Sequence, residues 1–182
     1  VFVNTWDNTK IKPILNRNTA ITTPLTQFKL YLDSITATLK MKILLESEKA
    51  SSVAIDDVII TDSFPIQKWT HITVSVDSQY CDMYVDGKLS KSIKYSSTPV
   101  QPAGVVVPLN VGKHLIGSTM GQISSDIFVS KLKLIPNPQS PQEVWNEYLK
   151  GNTDSWFSFL SSYGATLSVT KDSVETVKMS IF

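Results

Sequence analysis

The 182-residue sequence predicts an all-β fold, two packed antiparallel sheets with one or two short C-terminal helices. Three observations carry this. Apolar residues recur with period two through much of the chain, which places successive side chains on opposite faces of a strand. The dipeptide Asp86-Gly87 separates two such runs, and both residues tolerate the positive φ of a tight hairpin. Helix signals are confined to the region beyond residue 139, where Ser140-Pro141-Gln142-Glu143 forms a capping box with proline at the first helical position.

The elements follow in order. Val1-Phe2-Val3 is strand-like, Ile11 to Leu15 is a strand, and Phe28 to Leu32 holds Phe28, Leu30 and Leu32 in phase. Leu39 to Leu45 alternates Leu39, Met41, Ile43 and Leu45 against Lys40, Lys42 and Leu44. Val53 to Ile60 alternates less cleanly. The firmest pattern lies at 69–95. Trp69 to Asp77 places Ile72, Val74 and Val76 on one face, and a polar break follows at Asp77-Ser78-Gln79. Cys81, Met83 and Val85 then oppose Asp82 and Tyr84, and Lys88 to Tyr95 returns after Asp86-Gly87. Val105 to Val111 is β-branched but broken by Pro108, which predicts an edge position or a bend. Ile127 to Ile135 shifts phase, as a bulge near Ser130 or Lys131 would produce. The capping box starts a helix over Pro141 to Lys150, stopped by Gly151. A second helix is expected over Ser155 to Tyr163, then a hairpin of Thr166 to Thr170 and Glu175 to Ile181.

Composition fits one domain over 1–182, with 152–182 readable either as part of the sandwich or as a helix-plus-hairpin appendage. A formal net charge of +1, with 42% hydrophobic and 18% charged residues, suits a chain that buries a real core. That balance excludes a disordered chain and argues against a general nucleic-acid binder, which needs a basic face. Cys81 is the lone cysteine and His71 and His114 the only histidines, so an internal disulfide and multi-cysteine or multi-histidine zinc sites are excluded. No cofactor is expected. A reducing compartment, or one where disulfides are not needed, fits this usage. No Asn-x-Ser/Thr sequon occurs. No stretch approaches the roughly 18 apolar residues of a membrane span. The chain opens on Val1 with no signal-peptide pattern, which reads as a processed or truncated start.

The segment Phe64-Pro65-Ile66-Gln67-Lys68-Trp69-Thr70-His71-Ile72-Thr73-Val74, followed by Asp82-Met83-Tyr84-Val85-Asp86-Gly87-Lys88-Leu89, resembles the concanavalin A-like (laminin G-like) jelly roll. There a tryptophan opens one strand and a Tyr-x-Asp-Gly hairpin ends the next. The signature residues here are Trp69, Asp82, Tyr84, Asp86 and Gly87. A tryptophan supplies large buried area at the sheet entry, and Asp-Gly turns the chain. On this reading Gly87→Val weakens folding, because a β-branched residue resists positive φ.

The stretch Ile127 to Leu134, then Pro138 to Gly151 with its Pro-Gln-Glu helix ending in Tyr and Gly, is similar to concanavalin A-like proteins of large icosahedral DNA viruses of the chlorovirus and iridovirus kind. The tail Trp156 to Thr170 resembles theirs too. The resemblance runs from about Trp6 to about Asp172 and implies a non-enzymatic minor capsid protein. Its partners would be the major capsid protein and other minor capsid proteins. An N-terminal segment missing here would tie it to the internal viral membrane. Its place would be the virion, assembled in the host cytoplasm.

Other chemistries find less support. Retaining glucanases need two carboxylates about 5–5.5 Å apart, hence acids at alternating positions as Glu-x-Asp-x-x-Glu. That triplet is absent, Asp56 and Asp57 point to opposite faces, and Asp82 and Asp86 read as a polar outward residue and a turn residue. A lectin-like, carbohydrate-binding domain is the alternative function. Its aromatic-acid pairs would be Trp6 with Asp7, Tyr80 with Asp82, and Asp126, with no specific residue pattern behind any of them. Cys81, His71 and His114 form no sequence-local nucleophile pattern, and the phosphate-binding Gly-Lys-Ser/Thr motif is missing. Candidate partner-contact residues are Val100, Pro102 and Val105 in a Pro/Val-rich loop, and Trp156 and Phe157 in the second helix. The competing readings are a self-packed crossover for the loop and a lid on the sandwich for the helix.

Overall fold

The computed structural model describes residues 1–19, 25–48, 57–101, 108–112, 115–116, 119–120, 127–151, 166–171 and 174–180. In chain order the strands are β1 (Phe2–Val3), β2 (Lys12–Asn18), β3 (Thr26–Leu32), β4 (Leu39–Ile43), β5 (Val58–Thr61), β6 (Ile72–Asp77), β7 (Tyr80–Val85) and β8 (Lys88–Lys94). They continue as β9 (Asn110–Val111), β10 (Leu115–Ile116), β11 (Thr119–Met120) and β12 (Ile127–Phe128). Helix α1 (Pro141–Leu149) precedes the hairpin of β13 (Thr166–Lys171) and β14 (Val174–Ser180). Among the described residues no helix is long and apolar enough to cross a membrane.

Two antiparallel sheets make the body, one in the order β5-β4-β3-β2-β9 and one in the order β6-β7-β8. Their inner faces follow the period-two pattern. Leu30, Leu32, Leu39, Met41 and Ile43 of the larger sheet meet Cys81 and Met83 of the smaller, all buried. Ile72, Val74, Val76 and Val85 complete the second face. Each fully buried aliphatic side chain contributes about 1.5–3 kcal/mol. This layering bears out the all-β antiparallel sandwich.

The 72–95 meander forms as its pattern requires, with Ile72↔Val85 through Asp77↔Tyr80 and then Tyr80↔Lys94 through Val85↔Lys88 in register. Ser78 takes φ 54 in the first turn. Asp86 and Gly87 take φ 48 and 75 in the second. β9 ends its sheet, as Pro108 foretold for this run. The β13–β14 hairpin also forms, with a register shift between Val169 and Thr170.

Four expectations change. Trp69 lies outside β6 and is 38% exposed, so it is no buried strand-entry anchor. The chain reaches the sheet through backbone capture instead, since the His71 N–H donates to Asp86 Oδ1 at 2.9 Å. The strand expected over Ile127 to Ile135 stops at Phe128 after pairing with β1, and Lys131 takes φ 51. Residues 129–140 run without sheet partners because hydrogen bonds to Ser75 and ion pairs to α1 hold them. β2 continues past Leu15 through Asn16, Arg17 and Asn18, a polar stretch that gave no strand signal. Val100, expected on an exposed loop, is buried at 3% and donates its N–H to Leu44 O at 2.9 Å. Pro102, Val105, Trp156 and Phe157, the second helix and the start of the Val53 run lie outside the described residues.

Candidate functional site

The Asp-Gly turn is the meeting point of three segments. Asp86 accepts from the His71 N–H with Oδ1 and from Lys68 Nζ with Oδ2, each at 2.9 Å. It therefore staples the Lys68–His71 loop to the hairpin, beyond turning the chain. A Cβ added at Gly87 would lie 2.8 Å from Trp145 Cε3 and 3.0 Å from Tyr148 Cβ. The turn thus needs glycine for its φ and again for the close approach of α1. Tyr84 is 1% exposed and its hydroxyl is raised above the ordinary range by burial. Asp82, on the same face two residues earlier, accepts from Ser92 Oγ. Four signature residues, Asp82, Tyr84, Asp86 and Gly87, therefore hold the hairpin, and Trp69 sits beside it.

Helix α1 forms as its sequence dictates. The Ser140 backbone N–H donates to Glu143 Oε2 at 2.8 Å and the Glu143 N–H donates back to Ser140 Oγ, closing the capping box. Val144 is its buried residue. Glu147 accepts from Lys133 and from Lys150, both at 2.5 Å, and these hydrogen bonds hold its carboxyl down to about pKa 2. Lys133 is thereby tied to the helix. The neighbouring apolar side chains stay out in solvent: Leu132 is 47%, Leu134 84% and Ile135 42% exposed, and Leu149 on the helix is 63% exposed.

Beside this strip opens a cleft of about 700 Å³. One wall is the inner face of the larger sheet, with Ile14, Leu15, Phe28, Leu30 and Ile43. The other is β6, with Ile72, Val74 and Val76, an end strand of its sheet. The 129–139 segment rims the opening, anchored where Ser75 Oγ donates to Gln139 O at 3.2 Å and the Gln139 N–H donates to Ser75 Oγ at 2.8 Å. Arg17 and Gln27 also line it, and sequence reasoning missed both. No pattern in β2 announces Arg17. It faces the cleft because pairing sets it opposite Phe28, which in turn opposes Ile43.

Other polar groups are engaged elsewhere. The fully buried Lys12 lies 3.9 Å from the Trp6 ring centroid and donates to the Lys10 carbonyl at 3.0 Å and to the Asp7 carbonyl. Tyr31 OH donates to Asp57 Oδ2, and Asp33 pairs with Lys40. Burial of Cys81 pushes its thiol up to about 12, the value of an inert core sulfur. Burial lowers the His71 imidazole below its ordinary value. Among the described residues no three His, Cys, Asp or Glu side chains gather as metal ligands. Trp69 and Phe2 lie tilted at 43° with 5.5 Å between centroids and Phe2 meets Phe128 at 6.3 Å, a half-exposed aromatic cluster. Asn4 lies at its rim, where Gln67 Nε2 donates to its carbonyl oxygen.

A family model described as the concanavalin A-like lectin/glucanases superfamily matches residues 8–124. No curated protein matches the chain. Among solved structures, an S-layer domain-containing protein from Clostridium thermocellum is similar at 13% identity and a TM-score of 0.35. That alignment covers 81% of this chain and 66% of the other, so the chain spans just under two thirds of that relative. The matched residues hold both sheets, the Asp-Gly hairpin and the Trp69 loop, and the chain belongs to the concanavalin A-like lectin/glucanase superfamily.

Proposed function

We propose that this chain is a non-enzymatic packing domain, a minor capsid protein of a large icosahedral DNA virus. One observation carries the reading. Leu132, Leu134, Ile135 and Leu149 stand exposed on a segment that the Lys133–Glu147–Lys150 ion pairs hold to α1. Large aliphatic side chains held out in water by a fixed frame are what a protein–protein contact uses. A rigid sandwich bearing such a strip suits a lattice, where many modest contacts sum. The similarity of the Pro-Gln-Glu helix in sequence to concanavalin A-like proteins of large DNA viruses supports the shell as the setting. Major and other minor capsid proteins are then the partners, and an upstream segment would reach the internal membrane.

Quantitative mass spectrometry of purified particles from the source, before and after detergent and mild protease, tests this. Fixed stoichiometry with protection in the intact shell is the expected result. Absence from particles, or release from their outside, overturns it.

The carbohydrate-binding reading has one observation in its favour, the half-exposed Phe2–Trp69–Phe128 cluster with Asn4 and Gln67 at its rim. Sugars stack on such rings and bond to amides. A glycan-array signal lost in Trp69→Ala, with unchanged melting, would favour it over the shell.

A further inference from the structure

Arg17 is a cation on the core side of a sheet. Its cross-strand partner is Phe28, whose own partner is Ile43, so the guanidinium shares a face with apolar side chains. Its Nε is buried without a hydrogen-bond partner, and among the described residues no carboxylate pairs with it. Gln27, 9% exposed, donates with Nε2 to Val100 O at 2.6 Å, and its Oε1 is left buried and unpartnered. A buried polar atom with no partner is unfavourable, the more so when it is charged. Both atoms belong to residues that line the 700 Å³ cleft.

The electrostatics point the same way. Among the described lining residues Glu147 is the one acid, and Lys133 and Lys150 already hold it. Arg17, Lys131, Lys133 and Lys150 are the lining cations. Ile, Leu, Val and Phe side chains face each other across the cleft, and polar residues such as Thr73, Ser75 and Gln139 line it as well. The volume falls within the roughly 300–1,000 Å³ of small-molecule sites. A mainly apolar cleft with a half-buried arginine on one wall, unpaired among the described residues, suits a molecule with an apolar body and an anionic head.

We propose that the cleft between the two sheets binds an amphipathic carboxylate, its chain between Phe28 and the β6 valines and its head on Arg17. Gln27 Oε1 accepts from the head when that head carries a hydroxyl or a proton. The site does not rest on the capsid reading: Arg17, Phe28 and the β6 valines carry it, and Leu132, Leu134 and Ile135 of the exposed strip line its rim.

The test compares decanoate with decanol, two probes of equal chain length, by isothermal titration calorimetry on the full chain. Decanoate is expected to bind at least tenfold more tightly than decanol, and to raise the melting temperature. Arg17→Met is expected to remove that preference and leave decanol unchanged. Val74→Trp fills the opposite wall and is expected to abolish binding of both probes while the domain stays folded by circular dichroism. It supplies the second variant should Arg17→Met fail to fold. Decyl phosphate and decyl sulfate separate a carboxylate preference from a general anion site, and stronger binding of either than of decanoate overturns the carboxylate assignment. Equal affinity for decanoate and decanol, no binding of either, or full decanoate binding by Val74→Trp overturns the proposal.

Discussion

Gly87 answers two demands with one missing methyl group. Its φ of 75 costs a side-chain-bearing residue about 1–2 kcal/mol. The 2.8 Å approach of Trp145 adds a clash that Gly112, also at positive φ but with nothing within 4 Å among the described residues, does not meet. Gly87→Ala is therefore expected to lower unfolding free energy by clearly more than Gly112→Ala in urea titrations. Equal losses would show that α1 yields without cost. Cys81 illustrates the opposite case, a reactive group silenced by its surroundings. Fully buried and with its thiol pushed up to about 12, it should resist a neutral-pH disulfide reagent in the native state and react once urea unfolds the chain. Rapid native labelling would place it outside the core.

At the scale of elements, α1 is held by its capping box and by the Glu147 clamp. The Glu147 carboxyl is depressed, so the clamp's stabilisation is complete above the ordinary carboxylate value of about 4.3 and is lost as pH falls through about 2. Glu147→Gln should release residues 131–135 at neutral pH, read as faster limited tryptic cleavage after Lys131 and Lys133 with the β6–β8 meander intact. Cleavage no faster than in the parent would assign the frame to the Ser75–Gln139 bonds and the Lys131–Gly151 contact. The same clamp explains why Ile127 to Ile135 fails as a strand although its residue types invite one. A strand needs a partner edge, and this segment's side-chain contacts commit it to Ser75 and α1 instead.

For the whole molecule, the exposed strip and the cleft whose rim it lines have separate tests. Leu134→Glu together with Leu149→Glu should leave melting within about 0.5 kcal/mol of the parent, as surface changes do, while reducing incorporation into particles. Unchanged incorporation would remove the strip from any shell contact. The sandwich itself does not depend on these residues, because its core is built from Leu30, Leu39, Met41, Cys81 and Met83 on the facing sheets.

The sequence alone determined the elements whose signal is local. Alternation in Leu39–Ile43 and in the 72–95 meander, the Asp-Gly turn and the Ser140–Glu143 box each depend on residues a few positions apart, so neighbours suffice to read them. Strand β2 was legible to Leu15 and then lost, because Asn16, Arg17 and Asn18 carry no apolar phase. Tertiary structure alone decided what depends on distant pairing. The register of β2 on β3 turned Arg17 inward, the Asp86–His71 bond left Trp69 at the surface, and packing against Leu44 buried Val100. Each outcome is set by a partner many residues away in sequence, and local periodicity carries no information about which partner will arrive.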